Sequence, residues 1–347
     1  MRSDAKTIAI AGFLALDVIV DEVNGHSATA CLATGGSAGN IAIISRFLGL
    51  RAALLSEIGT DRAGDLIIDE LRRWGFDVSY IRRSDSFQTP VVLERLRTGP
   101  DGLPIHRFEM RCRKCGFYFP RFRGSSRETL RSQSEKIHGP RAFIFDRATP
   151  AIVDLARRFK SEGSTIIFEP ASVSPPRLFR EAFAISHIVK YSSDRLHAHD
   201  LPNLGSAQPI VVETNGDRGL EIRYRHRGLI RHRSLGALAP SILRDSTGSG
   251  DWLTAGLVYK IVQSPIACSD VGIELIADSL RFGQSLASLN ASFVGARGLM
   301  DARTSRTVLS NAKRLVQAKA TGTTPLSAGS THSGARFVAL QQACHGI

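Results

Sequence analysis

Residues 39–76 read GNIAIISRFLGLRAALLSEIGTDRAGDLIIDELRRWGF, and their apolar spacing changes twice. Ile41, Ile44, Phe47 and Leu48 recur at the three-and-four interval of a helix face. AALLSEIG, residues 52–59, is a short apolar run of strand type, and GDLIIDELRRWGF, residues 64–76, returns to helical spacing before stopping near Gly75. A chain that alternates in this way builds right-handed βαβ units, which produce a mostly parallel sheet covered by helices on both faces.

The alternation extends in both directions. KTIAIAG (6–12) predicts a buried first strand over Thr7–Ala11. AFIFDRA (142–148), TIIFEPA (165–171), HIVKYS (187–192) and PIVVETNG (209–216) predict further strands. AIVDLARRFKSEG (151–163) and PPRLFREAFAIS (175–186) are helical, and two more helices are expected after Asp251 and Asp270, the first from Trp252 onward. Two stretches break the pattern. Residues 12–34 and about 86–123, with TPVVLERLR and HRFEMRC either side of the turn TGPDGLP, read as a small antiparallel flap added to the main sheet. Beyond about residue 320 the chain turns small and polar, TGTTPLSAGSTHSG, a composition of loose order. The expected organisation is thus one α/β domain over 1–320, carrying a β-rich lid, and a tail over 321–347.

At 347 residues and 43% hydrophobic the chain has the material for a large core. Lys and Arg number 45 against 32 Asp and Glu, a net charge of +13 that favours an anionic partner. The excess is largely arginine, suited to forked contact with phosphate oxygens. It is spread along the chain without a long basic run, which fits a solvated surface better than a nucleic-acid groove. Nothing approaches the roughly 18 apolar residues of a membrane span, and Asp17 interrupts the apolar stretch near the start, against a secretory signal. Five cysteines do not suggest a disulfide framework, so a reducing cytoplasm is the expected setting.

The chemistry concentrates in DSTGSGDWLTAG, residues 245–256. Gly248 and Gly250 let backbone approach a ligand closely, and the helix that follows aims its free N–H groups and positive dipole end at the same place. An acid inside such an anion cradle is explained if Asp251 takes the proton of a hydroxyl that attacks a phosphate held by its neighbours. Taken alone the run reads first as a helix start with an acid in its first turn. TGGSAGNIA, residues 34–42, is a second glycine turn opening a helix, with Asn40 able to hydrogen-bond a polyol. GTDRAGDLIIDELRRWGFDVSYI, residues 59–81, is a third.

In this order the three motifs resemble the ribokinase family of carbohydrate and nucleoside kinases, also called the PfkB family, over roughly residues 6–300. The resemblance implies a ribokinase-like fold and ATP-dependent phosphorylation of a sugar or nucleoside hydroxyl. It implies Asp251 as general base and the backbone of Gly248, Ser249 and Gly250 as anion hole. Asp17, Gly35, Gly36 and Asn40 would hold the acceptor; Thr214, Gly216, Asn290, Lys190 and Arg195 would lie on the nucleotide side. No Walker lysine motif is present, which excludes a P-loop kinase.

Two departures stand out. Where relatives carry an NxxE motif serving magnesium, this chain has Ser192 and Arg195 in KYSSDRL, leaving Glu169 or Asp194 as the carboxylate for Mg²⁺. RCRKCGFYFPRFRG, residues 111–124, puts Cys112 and Cys115 at C-x-x-C spacing, half a zinc knuckle. His106 or a second lid across a homodimer axis can complete a Zn²⁺ site; an unligated or redox pair fits the same spacing. The arginines and aromatics around them suit a flap with a basic face, or a contact to nucleic acid or a phosphorylated substrate. The expected partners are ATP, a sugar or nucleoside and a second copy of the chain. The different-class alternative is a regulatory protein that kept the fold and lost turnover, engaging nucleotide or nucleic acid.

Overall fold

The computed structural model describes residues 7–21, 29–100, 104–112, 115–202, 209–266, 271–321 and 338–339. Its centre is a nine-stranded sheet in the order β13-β12-β11-β10-β9-β8-β1-β4-β5. Seven of these strands run parallel: β1 (Thr7–Ala11), β4 (Arg51–Gly59), β5 (Ile81–Ser84), β8 (Ala142–Phe145), β9 (Thr165–Phe168), β10 (Ile188–Ser192) and β11 (Ile210–Thr214). Side chains alternate between two cores. Ile8, Ile10, Ile144, Ile167, Ile188 and Val212 pack against α1 (Gly36–Phe47), α2 (Arg62–Arg73), α6 (Ser249–Gln263) and α7 (Ile273–Asn290). Ala9, Ala11, Phe143, Phe145, Ile166, Phe168 and Val211 pack against α3 (Arg127–Ser134), α4 (Pro150–Ser161) and α5 (Pro176–Ile185). Short apolar runs in the sequence therefore read as continuous because both faces are buried, each large aliphatic side chain contributing about 1.5–3 kcal/mol.

Local chemistry sets the helix starts. Asp61 caps α2 by accepting the Gly64 N–H at 2.9 Å, Ser126 accepts the Thr129 N–H, and Thr149 precedes Pro150 at the head of α4. The chain closes with α8 (Gly298–Ala302) and α9 (Ser305–Thr321). Among the described residues no helix is long and apolar enough to cross a membrane.

The lid is a five-stranded sheet in the order β14-β3-β2-β6-β7: β2 (Ala15–Asp21), β3 (Thr29–Gly35), β6 (Val91–Thr98), β7 (Pro104–Glu109) and the short β14 (Val338–Ala339). It corrects the all-antiparallel expectation, because β2 and β6 pair parallel. The connection between them runs through β3, α1, β4, α2 and β5, a crossover rather than a hairpin. Two further differences concern the main sheet. β12 (Leu220–His226) and β13 (Leu229–Leu235) form an antiparallel hairpin on its edge, a third break that the polar, arginine-rich sequence conceals. α6 starts at Ser249, three residues ahead of the expected Trp252, so its first turn contains the glycines. The predicted loose tail lies, apart from Thr321 and Val338–Ala339, outside the described residues, as does the tip of the TGPDGLP turn.

Candidate active site

The carboxyl ends of β1, β8, β9 and β10 and the starts of α1 and α6 converge beneath the lid, where parallel α/β sheets place their sites. Gly248 caps α6 at φ +75°, and a Cβ there would lie 2.7 Å from Ala296 Cα, so both conformation and space demand glycine. Asp245 shapes the run before it: its Oδ1 accepts the Thr247 N–H at 2.7 Å and its Oδ2 the Gly295 N–H at 2.6 Å. The Ser249 N–H closes a turn on the Ser246 carbonyl at 3.1 Å, and the Gly250 and Asp251 amides head the helix.

Asp251 stands in that first turn. Asn40, the fifth residue of α1, donates Nδ2–H to its Oδ2 at 3.0 Å. Burial, reinforced by the negative charge of Glu169, pushes the Asp251 carboxyl up to about 8, while Lys190, the Asn40 hydrogen bond and Arg195 pull the other way. Its side chain is surrounded by protein yet keeps some contact with water.

Asp17 occupies the other end of the cleft, on β2. A Cβ on Gly35 would sit 1.8 Å from Asp17 Oδ2, so glycine at 35 is what leaves room for this carboxylate. The Gly36 amide also donates to it. Burial first, then Glu94 and Glu70, push Asp17 up to about 7 against the pull of Arg297. Arg297 is itself tied to Glu70 Oε1 at 3.0 Å and to the Thr34 carbonyl at 2.6 Å, bracing the turn that precedes α1.

The structure thus brings Asp17, Gly35, Gly36, Asn40 and the 248–251 turn together. Lys190 and Glu169 join them: the Lys190 Nζ lies 2.5 Å from Glu169 Oε1 and 3.6 Å from the place of a Cβ on Gly250. Arg195 is exposed just beyond β10, close enough for its charge to act on Asp251. Thr214, at the end of β11, donates to the Tyr191 carbonyl at 3.2 Å, and Gly216 opens the next turn at φ +58°.

Two expectations need correction, those for Asn290 and His106, and the surroundings of Glu169 qualify a third. Asn290 does not face a nucleotide: it is fully buried, donating to the Thr247 and Gly295 carbonyls and accepting the Leu299 N–H, and so it braces the 245–250 loop. Glu169 has a protein partner on each carboxylate oxygen, Lys190 on Oε1 and the Thr254 hydroxyl on Oε2 at 2.7 Å, so a cation there would compete with Lys190. Asp194 is exposed just beyond β10, and a divalent ion can also arrive on the nucleotide's own phosphates. His106 does not join Cys112 and Cys115; it gathers with Glu94 and Asp245. Cys112 is buried and Cys115 exposed, on a hairpin turn closed by the Gly116 N–H on the Cys112 carbonyl. They line a cavity of about 800 Å³ with Asp61, Phe87 and Phe119, and neither Asp17 nor Asp251 reaches it.

Residues 7–100 match the pfkB family of carbohydrate kinases. The chain has a ribokinase-like fold, and its first hundred residues are similar to the pfkB family. Among solved structures, ribokinase from Giardia lamblia is similar with a TM-score of 0.67 at 16% identity, covering 88% of this chain and 99% of that one. Fructokinase with bound ATP from Xylella fastidiosa gives 0.64 at 17%, covering 91% and 99%. A nucleoside kinase from Burkholderia thailandensis in complex with inosine gives 0.63 at 18%, covering 89% and 97%. In sequence, an ATP-dependent 6-phosphofructokinase of Thermoanaerobacterium thermosaccharolyticum is 30% identical over 66 residues, 19% of this chain and 20% of that protein. Within this family fold, sequence reasoning missed Glu94, Asp245, Asp146 and Arg147. Arg147 stacks its guanidinium 4.9 Å from the Phe13 ring and 5.5 Å from Phe122, and donates to Asp146 at 3.0 Å. Phe13 in turn packs against Gly36. Asp146 and Arg147 directly follow the end of β8, the one place among these four that a strand-end site would have suggested.

Proposed function

We propose that the chain is an ATP-dependent kinase that transfers a phosphoryl group to an alcohol of a sugar-type acceptor. The observation that carries this reading is the 3.0 Å contact from Asn40 to Asp251, which joins the polyol-binding turn of α1 to the acid in the first turn of α6. Asp17 and Asn40 hold acceptor hydroxyls, one of which comes within reach of Asp251. Asp251 accepts its proton as the oxygen attacks the terminal phosphorus. The amides at the start of α6 face the charge that builds on the transferring oxygens. Lys190, buried beside Gly250, and the exposed Arg195 supply positive charge on the nucleotide side. Magnesium, where the nucleotide brings it, would neutralise the phosphates. The lid strands exclude water, which limits transfer to it. Arg147, beside Phe13 and Asp146 at the cleft wall, supports a sugar phosphate among the acceptors; a nucleoside is the other acceptor class that the fold accommodates.

The test is acceptor-dependent ADP release with ATP, Mg²⁺ and pools of sugars, sugar phosphates and nucleosides. Release that Asp251→Asn abolishes, with nucleotide binding retained, bears the reading out. Turnover unchanged in that variant overturns the assignment of the base. Nucleotide or nucleic-acid binding with no turnover in any pool favours a regulatory role, for which Ser192 and Arg195 in the magnesium segment are the motive.

A further inference from the structure

The lid and the loop ahead of α6 meet at one imidazole. His106, on β7, places Nδ1 3.0 Å from Glu94 Oε1 on β6 and 2.9 Å from Thr247 Oγ1. Thr247 Oγ1 also donates to Glu94 Oε1. On the other side of the ring, Nε2 lies 3.2 Å from the Ser246 amide nitrogen and 3.2 Å from Asp245 Oδ1, with the Ser246 hydroxyl at 3.3 Å. Glu94 and Asp245 are buried, and the His106 side chain is 16% exposed.

The partners of Nε2 make opposite demands. The Ser246 amide is a donor and needs an unprotonated nitrogen; the Asp245 carboxylate is an acceptor and needs Nε2–H. With Nδ1–H directed at Glu94 in both cases, the ring has two bonded states. The neutral ring holds the loop backbone at Ser246. The imidazolium turns that bond over to Asp245, whose Oδ1 it then shares with the Thr247 amide. Each state fixes different atoms of the segment that leads into Gly248.

We propose that His106 is a positioning residue that ties the lid strands to the 245–250 loop and sets the backbone ahead of the α6 amides through the partner its Nε2 selects. The proposal rests on the reading of that loop as an anion hole. The charged groups facing the ring are Glu94 from β6 and Asp245 from the loop; Asp17 on β2 interacts with Glu94 through its charge. Burial opposes the imidazolium, but the Glu94 hydrogen bond and the charges of Asp245 and Glu94 outweigh it, holding His106 above its ordinary value.

The test begins with the full chain free of nucleotide and acceptor, following the Ser246 amide and the His106 ring by NMR as pH is varied. The expected result is one shared midpoint above the usual histidine range, which vanishes from the Ser246 amide in His106→Gln. The same variant lowers kcat about tenfold while the KM for ATP holds, as a misplaced catalytic segment does. A Ser246 amide indifferent to the ring's titration overturns the proposal, as does His106→Gln with wild-type kcat. Should His106→Gln fail to fold, Glu94→Gln decides: it keeps shape and hydrogen bond, removes a charge and lowers the shared midpoint, and an unmoved midpoint counts against the tie. Because the NMR arm needs no turnover, a shared titration in a chain without kinase activity would overturn the phosphotransfer reading alone.

Discussion

Asn40 and Asp251 are 211 residues apart in sequence and joined by a 3.0 Å hydrogen bond in space. The bond lets one amide steady the acid while the buried Asn40 Oδ1, without a partner among the described residues, remains for another donor. A substrate hydroxyl is the donor that the phosphotransfer reading supplies. Asn40→Ala is expected to lower kcat/KM for the acceptor about tenfold to a hundredfold, and to leave the KM for ATP unchanged. Steady-state kinetics with each substrate varied in turn checks it.

The pH profile has a definite sign. A base must be deprotonated, so with Asp251 held up at about 8 the acid limb of kcat/KM should lie near neutral pH rather than in the usual carboxylate range. Asp17, at about 7, titrates in the same window, so the limb reports apparent values of the pair. Glu169 is one of the causes that raise Asp251, and Glu169→Gln should move the limb to lower pH by about one unit. A limb unmoved in that variant would separate Glu169 from the base.

Gly35→Ala places a methyl group where the Asp17 carboxylate now stands. The carboxylate has to swing away, and the acceptor KM should rise about tenfold or more while nucleotide binding persists. Calorimetric titration with a nucleotide analogue and initial rates distinguish this from general misfolding.

Asp251→Asn should make the protein more stable. A carboxyl whose folded value is raised from 3.8 to about 8 contributes stability that is present below its unfolded value and lost as pH rises through the folded one. At neutral pH part of that loss has already occurred, and an amide does not suffer it. The variant should gain about 1–2 kcal/mol, more at pH 9 than at pH 5, in denaturant melts. A loss of stability at pH 9 would mean that the charged form is better accommodated than its burial indicates.

His187 sets an opposite slope. Burial, then the charge of Lys160, holds its ring down to about 4, and Nδ1 accepts the Ile166 N–H at 2.8 Å. Its contribution is complete above the unfolded value of 6.5 and is lost as pH falls toward 4. His187→Gln should flatten the thermal melting point against pH over that window.

Much of this protein is legible along the chain because its physics is local. Apolar runs bounded by glycine and proline mark strands buried on both faces; Ile41, Ile44, Phe47 and Leu48 mark a helix by spacing alone; and GSGD announces a glycine turn at a helix start. Those signals carry the parallel sheet and the presence of a lid, while the grouping of Asp17, Asn40 and Asp251 is legible only through the resemblance of their motifs to the pfkB family. What tertiary structure decided is how polar side chains spend their hydrogen bonds. Asn290 looks the same in sequence whether it faces a ligand or braces a loop, and only its burial between Thr247 and Leu299 chooses. Glu169 stands alone in sequence, and only the fold lays Lys190 and Thr254 against its two oxygens. His106 sits near two cysteines in sequence, yet the register of β6 with β7 points it at Glu94 and Asp245. Periodicity and turn chemistry are written in neighbouring residues, whereas the partner of a buried polar atom depends on which distant strand or loop the fold lays beside it.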